Sequence, residues 1–151
     1  MKHSLSNWEN KLIKNKREMK RVILFRGKEI KTGKWIEGDL LRMGGHSFIF
    51  PDPAPKGFNQ YEVDPETVGQ FTGVKDKNGT RIFEGDVLGV GGRIIGWVQG
   101  GVRGYCYDVV YVNHPKGEER YSLYATATYD YRDRLGVVGN IYDNPDLLKT
   151  E

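Results

Sequence analysis

The chain has 151 residues, 38% of them hydrophobic and 12% aromatic, with 20 glycines and one cysteine, Cys106. This length fits one domain or two very small ones, and the lone cysteine excludes a disulfide framework or a cysteine-based zinc site within one chain. No apolar run approaches the ~18 residues that span a bilayer, and the N-terminus lacks the apolar region of a signal peptide. We therefore expect a cytoplasmic protein that does not engage membranes.

The formal net charge of +3 is divided unevenly along the chain. Residues 1–34 carry 11 Lys and Arg against 3 Asp and Glu, a net charge of +8. Residues 35–151 carry 12 against 17, a net charge of −5. The basic character therefore belongs to the N-terminal part, and the rest of the chain is mildly acidic.

Residues 4–20 are predicted to form a helix. Ser6 and Glu9 have the spacing of a capping box, and neither glycine nor proline interrupts the segment. Trp8 and Leu12 mark a narrow apolar stripe on an otherwise basic helix. Because the stripe is thin, the helix needs a partner surface to be stable.

We expect residues 1–18 to be a helical basic extension and residues 19–151 to form a β domain. Short apolar or alternating segments, separated by glycine-rich and proline-rich turns, recur every 8–12 residues in this domain, as in antiparallel barrels and sandwiches. A short helix is predicted after the last strand, with Asn144 as N-cap and Pro145 at the first helical position. The predicted strands are 22–25, 35–43, 46–50, 58–63, 67–72, 86–90, 93–99, 105–112, 120–129 and 136–142.

The predicted fold class is mainly β, an antiparallel barrel-like meander that forms either one irregular barrel or two small sub-barrels. The proline-rich residues 51–57 are a rigid loop or a boundary between sub-domains. Residues 32–41 recur weakly as residues 78–88, each with a turn glycine, Glu-Gly-Asp and an apolar pair. Two copies of one corner could build two related sub-barrels, although Gly-Asp before a strand is also a common bend.

Several segments carry a specific resemblance. They are Phe25-Arg26-Gly27-Lys28 with Gly33-Lys34-Trp35 and Gly38-Asp39-Leu40, then 64–73, 75–87 and 138–148. Together they resemble the YopX family of phage and prophage proteins over roughly Met19 to Leu148, loosely in 89–135, and residues 1–18 fall outside the family's usual pattern. The resemblance implies a phage or integrated-element origin, a mainly β fold and association of identical chains. It implies no reaction, cofactor or catalytic residue.

Two carboxylate pairs, Glu37 with Asp39 and Glu84 with Asp86, are candidate acid/base or metal sites. Such a site needs two carboxyls in one cleft, and residues i and i+2 of a strand share a face. The intervening glycine instead indicates a corner, where Asp commonly accepts hydrogen bonds from backbone amides. We favour the structural role for both pairs.

No motif indicates a metal ion, a cofactor or a nucleophile. The three histidines are scattered along the chain, and Cys106 is predicted to be an inert thiol, buried or half-buried in a strand. The glycine-rich residues 89–92 and 100–104 lack the phosphate-loop pattern and a following helix, so hairpin turns are expected there.

The basic N-terminal segment is the candidate nucleic-acid site, because its cations could neutralise phosphates while Trp8 stacks on bases. The alternative is a solvated helix face. The candidate residues are Lys11, Lys14, Lys16, Arg17, Lys20 and Arg21.

Three functional hypotheses follow from the sequence. The leading one is a non-catalytic binding or assembly module of phage origin, which acts as a homo-oligomer in the host cytoplasm and binds a host or phage protein. The second is a nucleic-acid-binding accessory protein that uses the basic segment. The least favoured is an enzyme that uses the Glu-Gly-Asp carboxylates.

Overall fold

The structure is a computed structural model of the chain. It describes residues 4–18, 21–51, 60–101, 104 and 106–149, and of residues 14–18 it describes the backbone alone. The predicted break at 51–57 lies outside the described residues apart from Pro51.

Most described elements are β-strands, which confirms the mainly β fold class together with an N-terminal helix and a short C-terminal one. The strands are β1 (Phe25–Lys28), β2 (Trp35–Met43), β3 (His46–Phe50), β4 (Tyr61–Val63), β5 (Gly69–Lys75), β6 (Arg81–Phe83), β7 (Asp86–Val90), β8 (Arg93–Gly100), β9 (Tyr107–Tyr111), β10 (Glu119–Ser122) and β11 (Gly136–Asn140). The helices are α1 (Asn7–Glu18) and α2 (Leu123–Ala125), with 3-10 helices at Pro65–Thr67 and Pro145–Leu148 and a π-helical turn at Thr126–Asp130.

The first sheet has six antiparallel strands in the order β4-β3-β2-β1-β5-β6. A bridge between Glu29 and Val63 brings β4 back to the end of β1, and the amide of Ile30 donates to the carbonyl of Glu62 at 3.0 Å. This contact is a single bridge rather than a ladder. The sheet therefore curls toward a barrel without closing into one.

The second sheet has five antiparallel strands in the order β10-β9-β8-β7-β11. Its apolar face and the helical segment that follows β10 enclose the main hydrophobic core, because strand alternation directs one face inward. The buried members of this core are Ile82, Leu88, Ile95, Val98, Val109, Leu123 and Leu135.

The predicted strand 120–129 is wrong in its second half, where α2 and the π-helical turn replace it. Ser122 ends the strand, because its hydroxyl accepts a hydrogen bond from the amide of Ala125 at 3.3 Å and acts as an N-cap. Leu123 and Thr126 are buried, and a spacing of three residues is helical rather than extended.

The two sheets meet at the corner between β6 and β7. Gly85 has a φ of +86°, which favours glycine, and a Cβ atom there would lie 2.9 Å from Tyr142 Cε2. Its amide donates to the carbonyl of Val98 at 2.8 Å, and its carbonyl accepts from the amide of Ile141 at 2.9 Å. The corner that leaves the first sheet is thus tied to two segments of the second.

A second tie joins the β5–β6 turn to β11. Asp76 Oδ2 accepts from the amide of Val137 at 3.0 Å, and its Oδ1 accepts from the amides of Asn78 and Thr80. Although burial acts in the opposite direction, these hydrogen bonds hold the pKa of Asp76 below its ordinary value. The turn at Asn78-Gly79 therefore reverses the chain and also, through Asp76, holds β11 in place.

Gly38 marks a close approach that tolerates no side chain, and we expect Gly38→Ala to be strongly destabilising. A Cβ atom at this buried position of β2 would lie 1.9 Å from the carbonyl oxygen of Phe50, so the backbone must shift. Overpacking of this kind costs about 1–3 kcal/mol or more of unfolding free energy. Urea unfolding followed by tyrosine and tryptophan fluorescence measures the loss.

Gly136→Ala is the matched control, because a Cβ atom there meets its nearest neighbour, Lys77 Cε, at 3.5 Å. This control should keep the wild-type unfolding midpoint. Equal midpoints for both variants would contradict the crowding at Gly38.

Candidate functional site

The guanidinium of Arg26, on β1, lies at the centre of a polar and aromatic cluster between the sheets. Its Cζ atom lies 4.7 Å from the ring centroid of Trp35 and 4.8 Å from that of Phe83, so two aromatic faces cover it. Its Nη2 atom is 2.6 Å from Asp86 Oδ1 and donates to the carbonyl of Glu84 at 3.3 Å. We call these residues, with Lys28, Tyr142 and Asp143, the Arg26 cluster.

Asp86 is the buried anion of this cluster. Its side chain is 1% exposed against 12% for Arg26, and its Oδ2 accepts from the amide of Phe83 at 2.8 Å. The backbone hydrogen bond that the sequence predicts for a corner Asp is therefore present here. Burial raises the pKa of Asp86, and this effect outweighs the opposing attraction of Arg26.

Asp143 connects the C-terminal turn to the first sheet. It accepts hydrogen bonds from Lys28 Nζ and Trp35 Nε1, both at 2.7 Å, and from Asn140 Nδ2 at 3.1 Å. These donors lower the pKa of Asp143 to about 2. Tyr142 adds a ring contact, 5.8 Å between centroids, to Trp35. The same Trp35 that covers Arg26 is thus held in place by the end of the chain.

The cluster brings together four separate stretches of sequence. Residues 25–28, 33–35, 84–86 and 140–143 each contribute at least one member, although they are spread over nearly 120 positions. The sequence places Trp35 in a predicted strand and the Glu-Gly-Asp and C-terminal segments at corners or strand ends, and local patterns do not connect them. The available signal was two cations just after the first predicted strand and a tryptophan at the start of the second, with isolated carboxylates elsewhere.

These stretches are also the ones that carry the family resemblance. The family described as YopX protein matches residues 24–149. The chain belongs to the YopX family. The match begins one residue before β1, so α1 precedes it.

Among solved structures, this YopX protein is similar at low identity to one from a bacterium. It is protein EF1440 from Enterococcus faecalis, with 21% sequence identity, a TM-score of 0.40, and coverage of 85% of this chain and 99% of that one. No curated protein matches the chain.

A cavity of about 390 Å³ lies beside the Arg26 cluster, and Glu37 and Asp86 both line it. The carboxylates of Glu84 and Asp86 do not share a site, because Glu84 lines a different cavity. Glu37 Oε2 accepts from Arg81 Nη1 at 3.2 Å, Glu84 Oε1 accepts from the amide of Gln70 at 2.9 Å, and Asp39 is exposed. The two carboxylates that share the cavity come from different copies of the repeat, and each faces an arginine.

The candidate nucleic-acid residues are divided between two places. Lys11 is exposed on α1, and Lys14, Lys16 and Arg17 lie on the same helix, where the backbone alone is described. Lys20 lies outside the described residues. Arg21 instead lines a cavity of about 330 Å³ on the body, with Glu84 and Tyr107.

Cys106 is exposed, so the prediction of a buried or half-buried thiol is wrong. The reason is that β9 begins only at Tyr107, which leaves Cys106 in the preceding loop. Within the described ranges, no group of three or more His, Cys, Asp and Glu side chains could hold a metal ion, and no helix is long and apolar enough to cross a membrane.

One half of the predicted capping box of α1 is present, the half in which the Glu9 carboxylate accepts from the amide of Ser6. The amide and the hydroxyl of Ser6 both donate to Glu9 Oε2 at 2.7 Å. The apolar stripe of the helix is uncovered, since Trp8 is 68% and Leu12 is 49% exposed. This YopX protein therefore presents two contrasting regions, a polar cluster whose charges are paired with one another and an apolar stripe that is uncovered.

Removing one partner of the buried ion pair should destabilise the fold severely. Asp86→Ala leaves the Arg26 guanidinium without its anion, at a cost of about 3–5 kcal/mol of unfolding free energy. The double variant Arg26→Met/Asp86→Leu removes both charges, so its loss should be smaller than that of Asp86→Ala. Urea unfolding of the variants tests this order.

Glu37→Gln is the control for the ion pair, because it breaks a largely exposed contact with Arg81 that is worth about 0–1 kcal/mol. A loss for Asp86→Ala no greater than that of Glu37→Gln would contradict the role assigned to the buried pair.

The lowered pKa of Asp143 predicts acid sensitivity. Because the ordinary value is 3.8 and the folded value about 2, the ionised form stabilises the fold above about pH 4, and this contribution disappears as the pH falls through 2. Asp143→Asn should therefore lose less stability than the wild type between about pH 5 and pH 2. Thermal unfolding across this range measures the difference, with Asp146→Asn, an exposed carboxylate nearby, as the control.

Proposed function

We propose that the chain is a non-catalytic binding module of phage or prophage origin, which works as a homo-oligomer in the host cytoplasm and binds a host or phage protein. The observation that carries this proposal is the uncovered apolar stripe of α1, outside a body whose distinctive residues are engaged with one another. YopX family membership supports the origin and supplies no reaction.

The engaged state of the Arg26 cluster argues for a structural role of its charges. Arg26 is ion-paired with Asp86 and stacked between two rings, while Lys28 binds Asp143. A general acid or base must be free to exchange a proton with a substrate. These side chains instead hold the two sheets and the C-terminal turn together.

The stripe of α1 has the character of a protein-binding surface. Tryptophan is enriched among the residues that dominate interface energies, because it buries a large area. Trp8 and Leu12 are one helical turn apart, on a capped helix in front of the family domain. A partner that covers this stripe would also supply the stability that so polar a helix lacks.

Nucleic-acid binding is the second candidate. It is favoured by the exposed Lys11 next to the exposed Trp8, a combination that suits a phosphate and a base. Arg21 lies beside Tyr107, in a cavity of the β domain, and is therefore not part of the basic arm that this candidate requires.

The salt dependence of binding distinguishes a protein partner from nucleic acid. In this test the full chain is immobilised and a lysate of the source bacterium is passed over it. A protein partner held by the apolar stripe should stay bound at about 1 M NaCl, where the Debye length is ~3 Å, and should be lost in Trp8→Ala. Quantitative mass spectrometry of the retained proteins is the measurement. Tyr129→Ala, a change at another exposed aromatic, is the control.

Nucleic-acid binding has its own test by fluorescence anisotropy of labelled single-stranded and double-stranded DNA and RNA at two salt concentrations. Micromolar binding that weakens steeply with salt and falls in Lys11→Ala would favour the basic arm over the protein-binding module. Absence of binding at low salt would eliminate the nucleic-acid candidate.

A further inference from the structure

The 3-10 helix Pro65–Thr67 lies between two open cavities on the first sheet. One has a volume of about 460 Å³ and is lined by Met43 and Glu66, and the other has about 640 Å³ and is lined by Ile30 and Asp64. Pro65 lines both. We call these residues together the Pro65 surface.

Apolar side chains are exposed on each side of Pro65. Met43 is 66% exposed in the first cavity, and Ile30 is 59% exposed in the second. Tyr142, whose ring contacts Trp35, also lines the second cavity. The surface therefore offers two separate apolar sites, one on each side of a short rigid element.

The chain around Pro65 is acidic. Residues 61–67 contain Glu62, Asp64 and Glu66 and no Lys or Arg, a net charge of −3. Of the cations that line the two cavities, Lys28 is neutralised by Asp143 at 2.7 Å. The cavity of Met43 is lined by Arg42 and by His46, whose Nδ1 lies 2.5 Å from Glu62 Oε1, so Asp64 and Glu66 are the carboxylates of this segment that remain open. The acidic segment thus separates the two apolar sites.

Helix α1 has the complementary features. It carries four Lys and Arg against two Glu, a net charge of +2. Trp8 and Leu12 are four residues apart, which places them on one face about 6 Å apart along the axis. Lys11 flanks this face one residue before Leu12. The two apolar side chains of α1 and the Lys11 cation beside them therefore complement the two apolar cavities and the carboxylates between them.

We propose that α1 of one copy docks on the Pro65 surface of a second copy, with Trp8 and Leu12 in the two cavities and Lys11 beside Asp64 and Glu66. This inference rests on the proposed homo-oligomer and assigns its contact surface. Both halves of the contact are exposed in the single chain, and their charges are opposite. Nucleic acid would meet repulsion at the same acidic segment.

The first test is the association of the full chain, measured by sedimentation equilibrium over a concentration series. Trp8→Ala and Ile30→Lys should each weaken association by about tenfold or more, because the first removes an apolar anchor and the second places a cation in the cavity that receives one. The controls are Tyr129→Ala and Val138→Lys, which alter exposed apolar residues away from both surfaces and should leave the Kd unchanged. Circular dichroism confirms that each variant is folded.

The decisive test is complementation between two full-length variants. Trp8→Ala/Leu12→Ala lacks the anchors but keeps an intact Pro65 surface, whereas Ile30→Lys keeps the anchors. A mixture of the two should form a 1:1 heterodimer, although each variant alone is monomeric. If α1 instead docked on the Pro65 surface of its own chain, mixing the two variants would produce no heterodimer. Independently, Lys11→Glu should weaken association, and adding Glu66→Lys in the same chain should restore it.

A wild-type chain that stays monomeric at high concentration would overturn the inference and remove the homo-oligomeric part of the proposed function. A stable oligomer that persists in both Trp8→Ala and Ile30→Lys would overturn the inference alone. In that case the chains associate through another surface, and the binding module remains.

Discussion

The buried ion pair between Arg26 and Asp86 is the interaction on which the rest of the structure depends. Burying two charges is costly unless each is paired and hydrogen-bonded. Here the rings of Trp35 and Phe83 cover the cation, and the Phe83 amide holds the anion. The pair joins β1 of the first sheet to β7 of the second. If the two sheets separated, each charge would lose its partner while still surrounded by apolar side chains.

The end of the chain completes this arrangement. Asp143 fixes Trp35 over Arg26, and Tyr142 packs against the corner at Gly85. The consequence is a body in which the first strand, the central corner and the final turn depend on one another. Such cooperative coupling suits the rigid body of the proposed binding module, in which the charges of the Arg26 cluster are paired with one another.

The open surfaces lie elsewhere. The stripe of α1 and the acidic surface around Pro65 both expose apolar side chains, and their charges are opposite. In the proposed function, the body is a stable support and these two open surfaces are the binding elements. The association that we propose depends on concentration, so an increase in the amount of protein in a cell would favour joined chains over single ones.

The sequence by itself determined the class of the fold, most of the strands and the cap of α1, because these follow from local periodicity, turn residues and a three-residue spacing. It also located the basic segment and the family. Only the tertiary structure decided that Arg26 and Asp86 meet, that the carboxylates of Glu84 and Asp86 diverge and that residues 123–130 turn helical. Those outcomes depend on contacts between residues far apart in the chain and on which side chains become buried, and local patterns do not encode either.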